Sequence, residues 1–251
     1  MKIYRFKYKK RIYYGVLKEN ILYPVKGSIY RKFKTEDTGI PISETHLLPP
    51  VMPSKIVAVG RNYKDHASEM GKPLPSEPLI FLKPSSAVIG PNDVIIRPAE
   101  SERVDYEGEL ALVVKKNAYC IRENEDANGY ILGYACFNDV TARDLQQKDI
   151  QFTRAKSFDT FAAIGPCISM HLDPACVQIK TFLNGKLKQS GNTKNLIFSI
   201  PVLLRFISRI MTLYPGDVIT TGTPAGVGPM QRGDRIDIQI QGIGTLSNMV
   251  E

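Results

Sequence analysis

No run of apolar residues approaches the eighteen or so that a membrane helix needs. Behind the basic start, MKIYRFKYKKR, there is no apolar stretch of the kind a secretory signal carries. A cytoplasmic protein is the expectation. Cysteine is scarce: Cys120, Cys136, Cys167 and Cys176 form no CxxC pair and no zinc-finger spacing, so we read them as reduced thiols. Of the three histidines, His46 and His171 have no partner visible in the sequence. The glycine-rich stretch GTPAGVGP lacks the GK[ST] ending of a P-loop and does not fit GxGxxG, so it reads as a tight loop between strands. Internal repeats and low-complexity segments are absent.

What is present is ordinary for a globular chain. With 251 residues, 43% apolar and 23% charged, it suits one medium domain, or one plus a small appendage, with a core that needs no cross-links. The net charge is +8, and much of the excess lies in RFKYKKR and YRKFK, where tyrosines interleave with the bases. That pattern admits a nucleic-acid surface or a scaffold role. A twisted edge hairpin with solvated lysines accounts for the same residues, and no nucleic-acid module pattern accompanies the charge.

Along the chain, strands dominate. KIYRFKY, RIYYGVL and KENILYPV are aromatic and β-branched and read as short strands. The proline-rich LLPPVMPSK then suggests a boundary, giving a small β-rich domain over residues 1–50 and a second domain over 53–251. In the second, KIVAVG, LIFLKP, DVIIRP, DYEGELALVV, GYACFND, GDVITTGTP and GDRIDIQIQGIGTLSN read as strands. NYKDHASEMG, ARDLQQKD and SIPVLLRFISRIMTL read as helices. The last has apolar residues at Val202, Leu203, Phe206, Ile207 and Ile210. Asn184 and Gly185 make a tight hairpin turn. No βαβ rhythm repeats, so the expected class is mostly β (α+β) with a few covering helices.

The chemistry concentrates in DYEGELALVV. Residues i and i+2 of a strand share a face, so Glu107 and Glu109 point the same way, with Ala111 and Val113 continuing that face as apolar positions. Two carboxylates at the edge of a buried face repel each other, and a divalent cation would remove the conflict. A solvent-facing edge with two unremarkable glutamates is the competing reading. Asp139 ends another apolar strand just before a threonine and a helix; it can serve as a third ligand or as a helix N-cap. Three carboxylates without cysteine or a spaced histidine pair describe a hard-cation site for magnesium or manganese, with calcium also suited to oxygen donors. His66 and Glu69 lie three apart in the helix NYKDHASEMG, where a carboxylate can orient an imidazole as a general base. Gly60 and Gly71 flank that segment. Arg143 and Gln146 are also three apart on one helical face, although Arg143 can equally be a structural partner of Asp144 or Asp139. Lys156, in RAKSFD, reads by itself as a surface lysine.

VGRNYKDHASEMG, SEPLIFLKPSSAVIG, DYEGELALVV, FNDVTARDLQ, RAKSFDTFAAIGP and GDVITTGTPAGVGP occur in this order. Together they closely resemble the fumarylacetoacetate hydrolase family, from about residue 53 to the end. Residues 1–50 resemble the small variable N-terminal domain of many members. The resemblance implies a mixed, rolled-up β core and one magnesium or manganese ion held by Glu107, Glu109 and Asp139. It implies a mobile lid carrying His66 and Glu69, with Lys156 reaching the bound substrate. Arg143, Gln146 and Thr223 would contact the substrate carboxylate. The implied substrate is a small 2-oxo acid, and the implied assembly is a homodimer with no nucleic-acid or membrane partner.

Three reactions branch from the shared enolate. They are C–C hydrolysis of 2,4-dioxo acids (acylpyruvates) by a water that His66 and Glu69 activate, decarboxylation of oxaloacetate, and isomerisation of 2-hydroxyhepta-2,4-diene-1,7-dioate. The intact His66–Glu69 pair favours hydrolysis. The non-enzyme alternative is a retired enzyme fold serving as a nucleic-acid or scaffold protein.

Overall fold

A computed structural model describes residues 1–69 and 73–251; the side chains of residues 66–68 are not described. The His66 side chain and Gly71, both singled out above, therefore lie outside the described residues. The chain opens with three antiparallel strands, β1 (Lys2–Tyr8), β2 (Arg11–Lys18) and β3 (Ile21–Gly27). Then follow β4 (Ile56–Gly60), helix α1 (Lys64–Glu69), β5 (Leu79–Lys83), β6 (Val104–Tyr106), β7 (Gly108–Val114) and β8 (Ile131–Asp139). Two short helices, α2 (Arg143–Lys148) and α3 (Thr153–Lys156), lead to β9 (Ala162–Ser169). The hairpin of β10 (Gln178–Leu183) and β11 (Lys186–Asn192) precedes α4 (Ile200–Ile210). The chain closes with β12 (Val218–Thr220), β13 (Arg235–Ile240) and β14 (Gly244–Val250). The mostly-β expectation holds.

The central sheet runs β3-β2-β1-β9-β8-β7-β12-β4-β5. It is mixed, because β12 and β4 pair in parallel while β7 and β8 are antiparallel. It also rolls. After β5 the chain turns, and Val88–Ile89 pairs with Ala162 and Ala163 of β9 in the middle of the sheet. Lys83 of the edge strand β5 thereby comes within 2.6 Å of Asp139 on β8, although three strands separate the two in the sheet order. A second sheet contains β14, β13, β10 and β11 and packs on the first.

The core follows from strand alternation. On β7, Leu110, Leu112 and Val114 enter one apolar cluster with Leu203, Leu204 and Ile207 of α4 and with Ile179, Ile238 and Leu246 of the second sheet. Ala111 and Val113 enter another, inside the roll, with Ile56, Ala135, Phe137, Ile164 and Val218. A strand buried on both faces explains why ELALVV is a near-continuous apolar run. Along α4 the buried stripe is Leu203, Leu204 and Ile207, whereas Val202 and Ile210 are exposed. The helix is therefore rotated from the face expected for it, since it packs one side against the sheet and leaves both ends of the stripe in water.

The tight turn at Asn184-Gly185 is present, with positive φ at both residues and Leu183 paired to Lys186. The N-terminal strands are continuous with the central sheet, because Lys2 and Ile3 pair with Ser169 and Ile168 of β9. The interleaved bases and tyrosines fold onto each other there: Lys9 Nζ lies 5.1 Å from the Tyr8 ring and Lys18 Nζ 5.4 Å from Tyr23. None of the helices among the described residues is long and apolar enough to cross a membrane.

The parallel pair β4–β12 is held by one buried carboxylate. Asp217 is fully buried and accepts from Ser54 N (3.0 Å), Ser54 Oγ (2.6 Å), Lys55 N (3.2 Å), Tyr214 N (2.9 Å) and the Lys55 ammonium. Burial by itself would raise its pKa. The hydrogen bonds from Lys55, Ser54 and Tyr214 outweigh burial and hold the group below the usual aspartate value. The folded form is thus favoured above the unfolded carboxyl pKa of about 3.9, and the benefit is lost as pH falls through the lower folded value. Asp217→Asn is expected to cost about 2 kcal/mol, or roughly 4–8 °C in Tm at neutral pH. The difference between the two proteins should narrow below about pH 4 in thermal unfolding followed by circular dichroism; a gap independent of pH would contradict this role.

Candidate metal centre and its pocket

DYEGELALVV is two strands, not one. Asp105 and Tyr106 belong to β6, in a small separate sheet, and β7 begins at Gly108. Glu107 is the joint between them. Its backbone is fixed from β8, since Asp139 N donates to Glu107 O at 2.9 Å and Glu107 N donates to Asn138 Oδ1 at 3.0 Å. Gly108 is required at the joint: a Cβ there would lie 2.2 Å from Thr181 Oγ1. Glu109 faces Phe137 of β8, and Asp139 lies two residues on along the same face. The result is a buried triad of Glu107, Glu109 and Asp139 whose ligand oxygens all lie within 4.8 Å of one another. Asp139 caps no helix, because the N-cap of α2 is Ala142.

The charges around the triad are unequal. Lys156 Nζ donates to Glu107 Oε2 (2.9 Å) and Asp139 Oδ2 (2.7 Å). Lys83 Nζ donates to Asp139 Oδ1 (2.6 Å) and Val140 O (3.1 Å). The Arg143 guanidinium donates to Glu107, to Asp105 (3.0 Å) and to Gln146 Oε1 (2.6 Å). Glu109 accepts from Gly222 N at 2.8 Å, and among the described residues no cation pairs with it. Burial, then the charges of Asp139 and Glu107, drive its pKa well above the ordinary glutamate value. A buried carboxylate crowded by two others and left without a counter-ion is costly. An ion of charge two bound by these oxygens removes that cost, so the residues present fit a hard divalent cation.

Lys156 is not a surface residue. It is buried, its ammonium lies 4.9 Å from the Phe81 ring centre, and its pKa is raised. Burial opposes that shift, and the attraction of Asp139 and Glu107 outweighs it. Arg143 pairs with Glu107 and Asp105 instead of Asp144 or Asp139; Asp144 binds Ser101 and the Glu102 amide. The Thr223 hydroxyl donates to Gly108 O (3.0 Å) and accepts from Gln189 Nε2 (2.8 Å), so it braces the joint strand as well as lining the pocket.

These groups face a cavity of about 370 Å³ that also contains Gly60, Arg61, Gln146, Gln147 and an apolar wall of Leu79, Phe81 and Phe152. A larger cavity, of about 520 Å³, lies elsewhere, beside Tyr134, Leu172 and Ile200, and contains none of the triad. Glu69, itself exposed at the end of α1, accepts from Gly226 N at 3.1 Å and so ties that helix to the GTPAGVGP loop, which also carries Thr223 of the pocket lining.

Three residues escaped the sequence reading. Asp105 continues the alternation of Glu107 and Glu109 by one more step and binds both Arg103 and Arg143. Lys83 was legible as the one charge inside the strand LIFLK; burial pulls its ammonium down to about 8 despite the attraction of Asp139. Arg61 had no signal beyond its place after a strand-ending glycine.

Glu109→Gln removes the unpaired charge while keeping the shape. We expect manganese affinity to fall at least about 10-fold by calorimetry, with the circular dichroism spectrum unchanged. Unaltered affinity would remove the triad as the metal site.

Comparison with known proteins agrees with this geometry. The family model "Fumarylacetoacetate (FAA) hydrolase C-terminal" matches residues 55–251, and "Rv2993c-like, N-terminal" matches residues 1–50. Oxaloacetate tautomerase YisK of Bacillus subtilis is 43% identical, over 83% of this chain and 74% of its own. The crystal structure of 5-carboxymethyl-2-hydroxymuconate delta-isomerase from Mycobacterium smegmatis is 39% identical with a TM-score of 0.93, covering 100% of this chain and 99% of that one. Maleylpyruvate hydrolase from Sphingobium sp. SYK-6, in complex with manganese (II) ion and pyruvate, is 30% identical with a TM-score of 0.82, covering 100% and 98%. Relatives thus include a tautomerase, an isomerase and a hydrolase. On its rolled mixed sheet, its carboxylate triad and a family match spanning most of its length, this chain belongs to the fumarylacetoacetate hydrolase family.

Proposed function

We propose that the chain is a metal-dependent enzyme that moves a proton on a small 2-oxo acid, as a keto–enol tautomerase or an isomerase. The observation that carries this reading is the buried triad with Glu109 uncompensated and Lys156 lying across Glu107 and Asp139. Glu107, Glu109 and Asp139 would hold magnesium or manganese. When bound, that ion supplies Lewis acidity toward the oxygens of the 2-oxo acid, which favours the enolate over the ketone.

The chain's own groups would do the rest. The C3–H bond breaks, its electron pair becomes the C2=C3 double bond, and the carbonyl pair moves onto oxygen. The proton goes to the His66–Glu69 pair and returns either to oxygen, giving the enol, or to another carbon, giving the isomer. Nothing is oxidised or reduced. Lys156 would set a fixed positive charge beside the oxygen that becomes negative, in a site where water cannot screen it. Gln146, held by Arg143 at 2.6 Å, and the Thr223 backbone amide would orient the substrate carboxylate. Leu79, Phe81 and Phe152 would keep water from the enolate.

Proton transfer ranks first because it needs the fewest groups, and a relative named as an oxaloacetate tautomerase is 43% identical. C–C hydrolysis of an acylpyruvate is the second reading. It is favoured by the hold of Gly226 N on Glu69, which ties the helix of the His66–Glu69 pair to the loop that carries Thr223 of the pocket lining.

Both readings are tested together. With manganese, the protein should speed the decay of enol-oxaloacetate absorbance, and a chelator should abolish the effect. Pyruvate release from acetylpyruvate reports the hydrolase branch. Lys156→Met should lower kcat about 100- to 1,000-fold on whichever substrate turns over. No metal-dependent change on either substrate would overturn the reading.

A further inference from the structure

We propose that Arg61 binds the distal carboxylate of the substrate, so that the pocket selects 2-oxo diacids over 2-oxo acids with an uncharged tail. This rests on the reading above, in which the 2-oxo acid end of the substrate meets the triad.

Three cations line the cavity: Arg61, Arg143 and Lys156. Arg143 is committed to Asp105, Glu107 and Gln146, and Lys156 to Glu107 and Asp139. Among the described residues, Arg61 makes no hydrogen bond and no ion pair, although it is only half-exposed. A guanidinium in such a position offers a flat pair of N–H donors matched to a carboxylate. The apolar wall of Leu79, Phe81 and Phe152 has nothing to offer an anion, and Gln147 adds only a neutral amide.

The backbone shows that Arg61 is held where it is. Its φ is +54°, a left-handed conformation that a side chain makes unfavourable. The neighbouring Asn62 prevents relaxation. It is fully buried, its Nδ2 donates to Thr221 O (2.9 Å) and Phe198 O (3.1 Å), and its Oδ1 accepts from Phe198 N (2.8 Å). Gly222, whose amide holds Glu109, packs so closely that a Cβ on it would lie 3.0 Å from Asn62 Cβ. Strain that its surroundings over-determine is the usual mark of a residue kept for a purpose. The same rivet fixes Arg61 relative to the triad.

Charge points the same way. The three lining cations balance the three lining carboxylates, so a bound divalent ion leaves two positive charges for a ligand to neutralise. A dicarboxylate does so, with one end at the ion and the other at Arg61. A neutral tail would leave the guanidinium partly desolvated and unpaired.

The test compares 2-oxoglutarate with 2-oxovalerate, which replaces the distal carboxylate by a methyl group. Dissociation constants are measured by calorimetry on the manganese-loaded protein. Wild type should prefer the diacid. Arg61→Gln should reduce that preference at least about 10-fold with little change for 2-oxovalerate, and Arg61→Lys should restore part of it. In turnover of a diacid, Arg61→Gln should raise KM more than it lowers kcat. An unchanged preference in Arg61→Gln, or an equal loss of both ligands, would overturn the role of Arg61 while leaving the proposed function standing. Failure of wild type to bind either ligand would overturn both.

Discussion

Three carboxylates within 4.8 Å of one another, out of water, are the constraint on which the rest of this structure turns. Each would be expensive alone in such a place, and together they repel. The chain answers with cations on three sides. Lys83 arrives from the far edge of the rolled sheet, Lys156 from the end of a four-residue helix, and Arg143 from the helix that follows β8. Among the described residues no cation pairs with Glu109, which accepts from the backbone amide of Gly222 and lines the cavity. A protein stabilised solely for its own sake would have an apolar residue there. Three crowded carboxylates, one of them without a cation beside it among the described residues, fit a divalent ion.

The roll of the sheet is what makes the arrangement possible. Three strands separate those of Lys83 and Asp139 in the sheet, and the return of residues 88–89 to pair with β9 closes that distance. The parallel neighbours β4 and β12 end side by side. One delivers Gly60 and Arg61 to the pocket, and the other delivers Thr223 to it and the Gly222 amide to Glu109. Asp217, at the opposite end of this pair, ties β12 to the residues before β4. The anchor that stabilises the fold and the loops that shape the pocket therefore share two strands.

Much of this was legible in the residues. Alternation in DYEGELALVV placed Glu107 and Glu109 over an apolar face, and Ala111 and Val113 do lie in the core beneath them. The turn at Asn184-Gly185 and the mostly-β class followed from local chemistry. Other features did not. The joint at Glu107 was hidden because its partners are distant in the chain: Asn138 and Asp139 hold its backbone, and Thr181, more than seventy positions from Gly108, leaves no room for a Cβ there. Lys156 read as a surface residue because nothing local to RAKSFD reveals that it closes over two carboxylates from other strands. Val202 and Ile210 fit the helical period yet are exposed, since period alone does not fix how far a helix is turned against its sheet. Side-chain roles set by contacts across the fold, such as those of Lys83 and Asp105, need the tertiary structure.

The most direct measurement is anomalous diffraction from crystals grown with manganese and oxalate, a two-carbon mimic of the chelating end of a 2-oxo acid. The account predicts a single strong manganese peak bonded to carboxylate oxygens of Glu107, Glu109 and Asp139, with oxalate between the ion and Gln146. A manganese peak elsewhere, or a triad that still binds only Lys83, Lys156 and Arg143 at saturating metal, would contradict it.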